Sequence, residues 1–145
     1  MLLAELFSMI EIDAPAERVW HALTDFGRYP EWNPFMRRVA GEAARRAELD
    51  VLVHPDGAKA LRLRPQIVTF RPPRELRWRA RFPGILVGEQ RFVVEALDPA
   101  RSRLIHEKRV RGLAVPLLRR MLDGPVKRSF DATGLALKAF VERNR

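Results

Sequence analysis

The sequence predicts an α+β fold: an antiparallel sheet covered by one long C-terminal helix. Three observations carry that prediction. Apolar and polar residues alternate over much of residues 36–111, which is the period of half-buried strands. After Gly112 the apolar spacing changes to three and four residues, which is the period of a helix. A sheet with one apolar face needs a cover, and only the C-terminal segment is long enough to supply it.

Residues 6–12 read as a first strand, ending at Asp13-Ala14-Pro15. Pro15 suits the first helical position, where a missing N–H costs nothing, and Glu17 suits the first turn. Val19, Trp20 and Leu23 then recur at helical spacing until Gly27, a natural stop. Residues 29–34, Tyr-Pro-Glu-Trp-Asn-Pro, leave room for one helical turn at most.

From Met36 onward, turns are expected at residues 41–44, 55–57, 72–73, 83–84 and 98–99, leaving about six strands. The clearest runs over residues 75–82, with Leu76, Trp78, Ala80 and Phe82 on one face and Glu75, Arg77, Arg79 and Arg81 on the other. Residues 47–53 and 61–64 alternate in the same way. In the C-terminal segment, Leu117, Leu118, Met121, Leu122, Val126, Phe130, Leu137, Phe140 and Val141 form one stripe. Gly124-Pro125 should kink or break it, because proline lacks a donor and clashes with the preceding turn.

Composition narrows the class. At 145 residues, 47% hydrophobic and 31% charged, the chain reads as one globular domain over residues 1–145. Without cysteine there is no disulfide framework, thiolate metal site or cysteine nucleophile. The opening residues lack a basic n-region, and no run of 18 apolar residues occurs, so a cytoplasmic protein with no transmembrane segment is expected. The net charge is +9, with arginine supplying 23 of the 27 basic residues. The outward arginines, including Arg62, Arg64, Arg77, Arg79, Arg81, Arg91 and Arg109, are interspersed with Glu48, Asp50, Glu75, Glu95 and Glu107. A solvated, ion-paired face is the simpler reading, an anion-binding face the alternative. No aromatic platform accompanies those arginines, which argues against nucleic acid.

Catalytic motifs are sparse. Gly84 and Gly88 lie in a hairpin context, and His21, His54 and His106 lack metal-ligand spacing. No metal and no cofactor are expected, and binding is the default. One strand breaks the inside/outside rule: over residues 104–110, His106 and Lys108 share a face with Leu104 and Val110. An inward lysine is costly without a partner or water, so Lys108 is either a polar anchor for an acidic ligand or a rim residue displaced by a bulge. His106 is either a satisfied core histidine or a ligand contact. The aromatic residues Trp32, Trp78, Phe82 and Phe92 could line a cavity or simply pack a core.

The residues Ile12-Asp13-Ala14-Pro15, Val19-Trp20, Leu23-Thr24-Asp25-Phe26 and Tyr29-Pro30-Glu31-Trp32-Asn33-Pro34 resemble the opening of the START/polyketide-cyclase (SRPBCC) superfamily. Gly88-Glu89-Gln90-Arg91-Phe92 looks like its GxxxF strand, residues 106–112 like its penultimate segment, and Ala136-Leu137-Lys138 with Glu142 like its last helix. The resemblance implies a helix-grip fold, with a seven-stranded antiparallel sheet around a long C-terminal helix and two short helices after the first strand. It also implies a cavity for an apolar molecule such as a lipid, quinone or polyketide. Two positions depart from the pattern: Lys108 stands where an acidic residue is common, and Thr133-Gly134 where asparagine is common.

The expected ligand-binding residues are Trp32, Trp78, Phe82, Phe92, Leu118 and Leu122 as apolar walls, with Gln90, His106 and Lys108 at the polar end. Binding of an apolar small molecule of the lipid, quinone or polyketide-like class is the first reading. A cyclase or dehydratase using His106 as general acid/base is the second, and an interaction module using the basic sheet face on an acidic partner is the third. The oligomeric state is left as monomer or homodimer.

Overall fold

The computed structural model describes residues 2–55 and 57–143. The first strand, β1 (Leu3–Ile12), leads into α1 (Ala16–Thr24), a 3-10 turn at Phe26–Arg28 and the single turn α2 (Tyr29–Trp32). Pro15 sits one position earlier than expected, at the N-cap, with extended φ and ψ of −61° and 150°. Strands β2 (Met36–Ala40), β3 (Asp50–Val53), β4 (Leu61–Leu63), β5 (Gln66–Arg71), β6 (Glu75–Phe82), β7 (Leu86–Asp98) and β8 (Arg101–Arg111) follow. The chain ends in a helical run: a 3-10 turn at Pro116–Leu118, α3 (Arg119–Met121), a π-type turn at Leu122–Val126, and α4 (Lys127–Arg143).

The fold is α+β, with a large antiparallel sheet and a long C-terminal helix. The strands number eight rather than seven and form two sheets, β1-β8-β7-β6-β5 and β2-β3-β4. Pro65 separates β4 from β5, because it has no N–H to give a ladder. The sheets meet at the segment before β3, where Leu49 N–H donates to Pro65 O and Ile67 N–H to Ala47 O, at 2.8 and 2.9 Å. The strand expected from residue 47 therefore begins its regular pairing only at Asp50.

Helix α4 lies against the inner face of β1. Leu137, Phe140 and Val141 enter the main core together with Ile12, Leu23, Trp78 and Leu104. At Gly134 the helix faces β1 with room for a methyl group: a Cβ there would stand in ordinary contact, 3.8 Å from Ile10 and 3.9 Å from Ser8. A smaller apolar cluster of Val110, Val115 and Leu122 closes the other end. Pro125 interrupts the helical run as a π-type turn, the usual way a helix accommodates a residue that cannot donate. Leu117, expected on the buried stripe, is instead 88% exposed, because the 3-10 turn at residues 116–118 carries it to the outside. Among the described residues no helix is long and apolar enough to cross a membrane.

Candidate functional site: a cavity between sheet and helix

The inner faces of β6, β7 and β8 do not meet the C-terminal helical run everywhere. Between the two apolar clusters lies a cavity of about 500 Å³, a size suited to a small organic molecule. The sheet lines it with Trp78, Ala80, Phe82, Gln90, His106, Lys108 and Val110. The helical run adds Leu118, Met121, Leu122, Val126 and Phe130, and the smaller sheet closes it with Val51 and Leu63.

Strand register puts the polar residues together. Lys108 pairs with Gln90 on β7, and His106 with Phe92, in a ladder that is regular from Val87 to Ala96 and shifts register between Ala96 and Asp98. Lys108 is therefore not displaced by a bulge, and it keeps the inward parity of Leu104, His106 and Val110. Its Nζ donates to Gln90 Oε1 at 3.5 Å. It makes no ion pair among the described residues, and burial holds its pKa below the ordinary lysine value.

His106 is 1% exposed and lies between two rings. Phe92 stacks on one face at 4.4 Å and 9°, and Phe130 on the other at 4.1 Å and 19°. Only the ring edge is left for polar contact. Neither Nδ1 nor Nε2 has a hydrogen-bond partner. Burial, followed by the nearby Lys108 charge, pushes the imidazole pKa down to about 3. The ring is thus neutral at ordinary pH, with one N–H to give and one lone pair to fill. Thr133 completes the polar side of the wall, its hydroxyl donating to Ser129 O at 2.8 Å.

Seven of the nine residues expected from the sequence stand on the cavity wall: Trp78, Phe82, Gln90, His106, Lys108, Leu118 and Leu122. Two do not. Trp32 packs into the core instead, with Tyr29 at 4.7 Å and Phe140 at 6.5 Å. Phe92 lies behind the wall, between Trp78 and His106. Val51 and Phe130 are wall residues that sequence reasoning placed only in strand and helix patterns. Periodicity identifies an inward residue but not which part of the interior is left empty.

The outward arginines are largely neutralised where they stand. Arg79 meets Glu89 at 2.6 Å, Arg91 meets Glu75 at 2.8 Å, and Arg109 meets Glu5 at 3.1 Å. Across the smaller sheet Arg62 meets Asp50 at 2.9 Å. Among the described residues no group of three or more His, Cys, Asp or Glu is placed to hold a metal ion.

A family profile described as polyketide cyclase / dehydrase and lipid transport matches residues 6–142. The chain belongs to that family. No curated protein matches the sequence. Among solved structures, this polyketide cyclase / dehydrase family member is similar to a START superfamily protein from Mycobacterium smegmatis, with a TM-score of 0.80 and 20% identity over 97% of this chain and 99% of that one. It is also similar to the Zhui aromatase/cyclase from Streptomyces sp. R1128, with a TM-score of 0.79 and 20% identity over 98% and 95% of the two chains. A truncated norcoclaurine synthase from Thalictrum flavum matches with a TM-score of 0.72 and 12% identity over 97% and 94%. At these identities the likeness is one of fold, and it agrees with the START-type, helix-grip architecture that the opening motif implied.

Proposed function

We propose that the protein binds an apolar small molecule bearing one polar end, of the lipid, quinone or polyketide-like class, in the cavity between β6–β8 and the C-terminal helical run. The observation that carries this reading is His106. A buried imidazole with both nitrogens unpartnered costs on the order of 1–3 kcal/mol per orphaned group; a carbonyl on a bound molecule would accept from its N–H, and a hydroxyl or protonated carboxyl could also donate to its other nitrogen. Gln90 and Lys108 stand beside it, so an oxygen placed there can accept from Lys108 as well as meet His106. The remaining wall is aliphatic and aromatic, which suits a ligand held by buried apolar area and oriented by a few polar groups.

Burial of the imidazole, which keeps it neutral, favours binding over proton transfer. An imidazole whose pKa lies at about 3 carries no acidic proton at neutral pH and is a weak base. His106 in this reading orients the ligand. Native mass spectrometry of the purified protein, followed by solvent extraction, tests the reading. A near-stoichiometric apolar molecule is expected, and His106→Phe, which keeps the stack but removes both nitrogens, should weaken its retention about tenfold. An empty protein that also gains no thermal stability from fatty acids, quinones or aromatic acids would overturn it.

A further inference from the structure

Of the eight large apolar side chains exposed among the described residues, three stand together at one end of the molecule, while Phe7, Met9, Leu61 and Leu135 lie elsewhere. Ile85, in the turn between β6 and β7, is 53% exposed, and Leu113 and Leu117, in the segment between β8 and α3, are 67% and 88% exposed. Backbone bonds hold these segments together: Ala114 N–H donates to Ile85 O at 3.0 Å, and Gly112 N–H donates to Leu2 O at 2.9 Å. Gly112 makes the contact possible, since with φ at 135° any Cβ would collide with the Ile85 carbonyl oxygen.

Charge at this end differs from that on the rest of the sheet. Arg81 and Arg111 lie in one row across β6, β7 and β8, both opposite Val87. Both are exposed, and neither makes an ion pair among the described residues. Exposed Arg120 follows Leu117 by three residues, and no acidic residue occurs between Glu107 and Asp123. By contrast, Arg79, Arg91 and Arg109, farther along the same strands, each meet a glutamate.

We propose that this end docks on an anionic lipid bilayer, with Ile85, Leu113 and Leu117 entering the headgroup boundary and Arg81, Arg111 and Arg120 meeting lipid phosphates. Side chains this exposed protrude from the surface, as residues that enter a headgroup layer must. Protruding apolar residues flanked by unpaired cations match a bilayer surface, which offers an apolar interior beneath an anionic layer. Leu86 and Leu118, the chain neighbours of Ile85 and Leu117, belong to the cavity wall, so docking would bring that wall against the membrane. The docking does not depend on what the cavity holds.

Co-sedimentation of the full chain with phosphatidylglycerol/phosphatidylcholine vesicles, against phosphatidylcholine alone, tests the proposal. Binding to the anionic vesicles is expected. It should fall about fivefold with each of Arg111→Gln and Arg120→Gln, and at least about tenfold with Leu113→Ser combined with Leu117→Ser. Arg71→Gln with Arg74→Gln, at the opposite end of β6, removes twice the charge of either single variant and should change it little. All these side chains are in solvent or at the surface, so unchanged melting curves will show that the variants are folded. Three results would overturn the proposal: no binding to anionic vesicles, equal losses from the Arg71/Arg74 pair, or a concentration-dependent dimer that the leucine substitutions dissociate. The last would make the patch an interface between two copies of the chain.

Discussion

His106 is held between Phe92 and Phe130 without a hydrogen-bond partner, and this has a consequence for stability. Burial lowers its folded-state pKa from the ordinary value of 6.5 to about 3, so over that interval the unfolded chain binds the proton that the folded chain refuses. The stability associated with neutral His106 is complete above about pH 6.5 and declines as pH falls towards 3, by about 1 kcal/mol per pH unit. Unfolding in urea from about pH 7 to about pH 5, above the range where carboxylates titrate, should show a steeper loss for the wild type than for His106→Gln. Parallel slopes would mean that the folded protein accepts the proton at the ordinary value. The pairing of two aromatic rings with an imidazole was invisible in the sequence. Phe92 and His106 lie on neighbouring strands and Phe130 on a helix, and nothing local to any of them announces the stack.

Elements were the most legible level, because each is set by a local period. Strand β6 spans the residues whose alternation is strictest, and Leu76 and Trp78 are buried as expected. The single turn α2 carries Pro30 in its first turn and ends before Pro34. Sequence reasoning went astray at junctions, where geometry overrides period: Leu117 turns outward in a 3-10 segment, and Pro65 divides one apparent strand region into β4 and β5. Gly134 is a position where helix propensity was given up within α4. A Cβ there would find ordinary contacts at 3.8 and 3.9 Å, so Gly134→Ala should raise stability by about 0.5–1 kcal/mol through reduced backbone entropy in the unfolded chain. A lower urea midpoint for this variant would show that the gap between α4 and β1 cannot admit a methyl group.

The whole molecule sets an open interior against an otherwise well-filled core. The main cluster and the small cluster at Val110, Val115 and Leu122 are separate, and the cavity occupies the space between them. A molecule that fills it should stabilise the fold by linkage, by about 2.7 kcal/mol at a hundredfold excess over its Kd. For a chain of this size that is a rise in Tm of roughly 5–10 °C. Thermal scans with fatty acids, quinones and aromatic acids should therefore separate one class from the others, and a flat response across all three would count against an accessible cavity.

The pattern of residues was enough to establish an α+β chain with a covering C-terminal helix and to single out His106 and Lys108 as a break in the inside/outside alternation. Those features follow from periods of two and 3.6 residues, which any stretch of chain expresses alone. Long-range pairing had to be seen in three dimensions. The register of β7 against β8, regular through His106 and Lys108, turns Lys108 inward, beside Gln90. The packing of Tyr29 and Phe140 takes Trp32 away from the cavity wall, and Phe130 closes over His106 from a distant helix. An empty volume belongs to no residue: it is the space that remains once every element has been packed, so it emerges only with the tertiary fold.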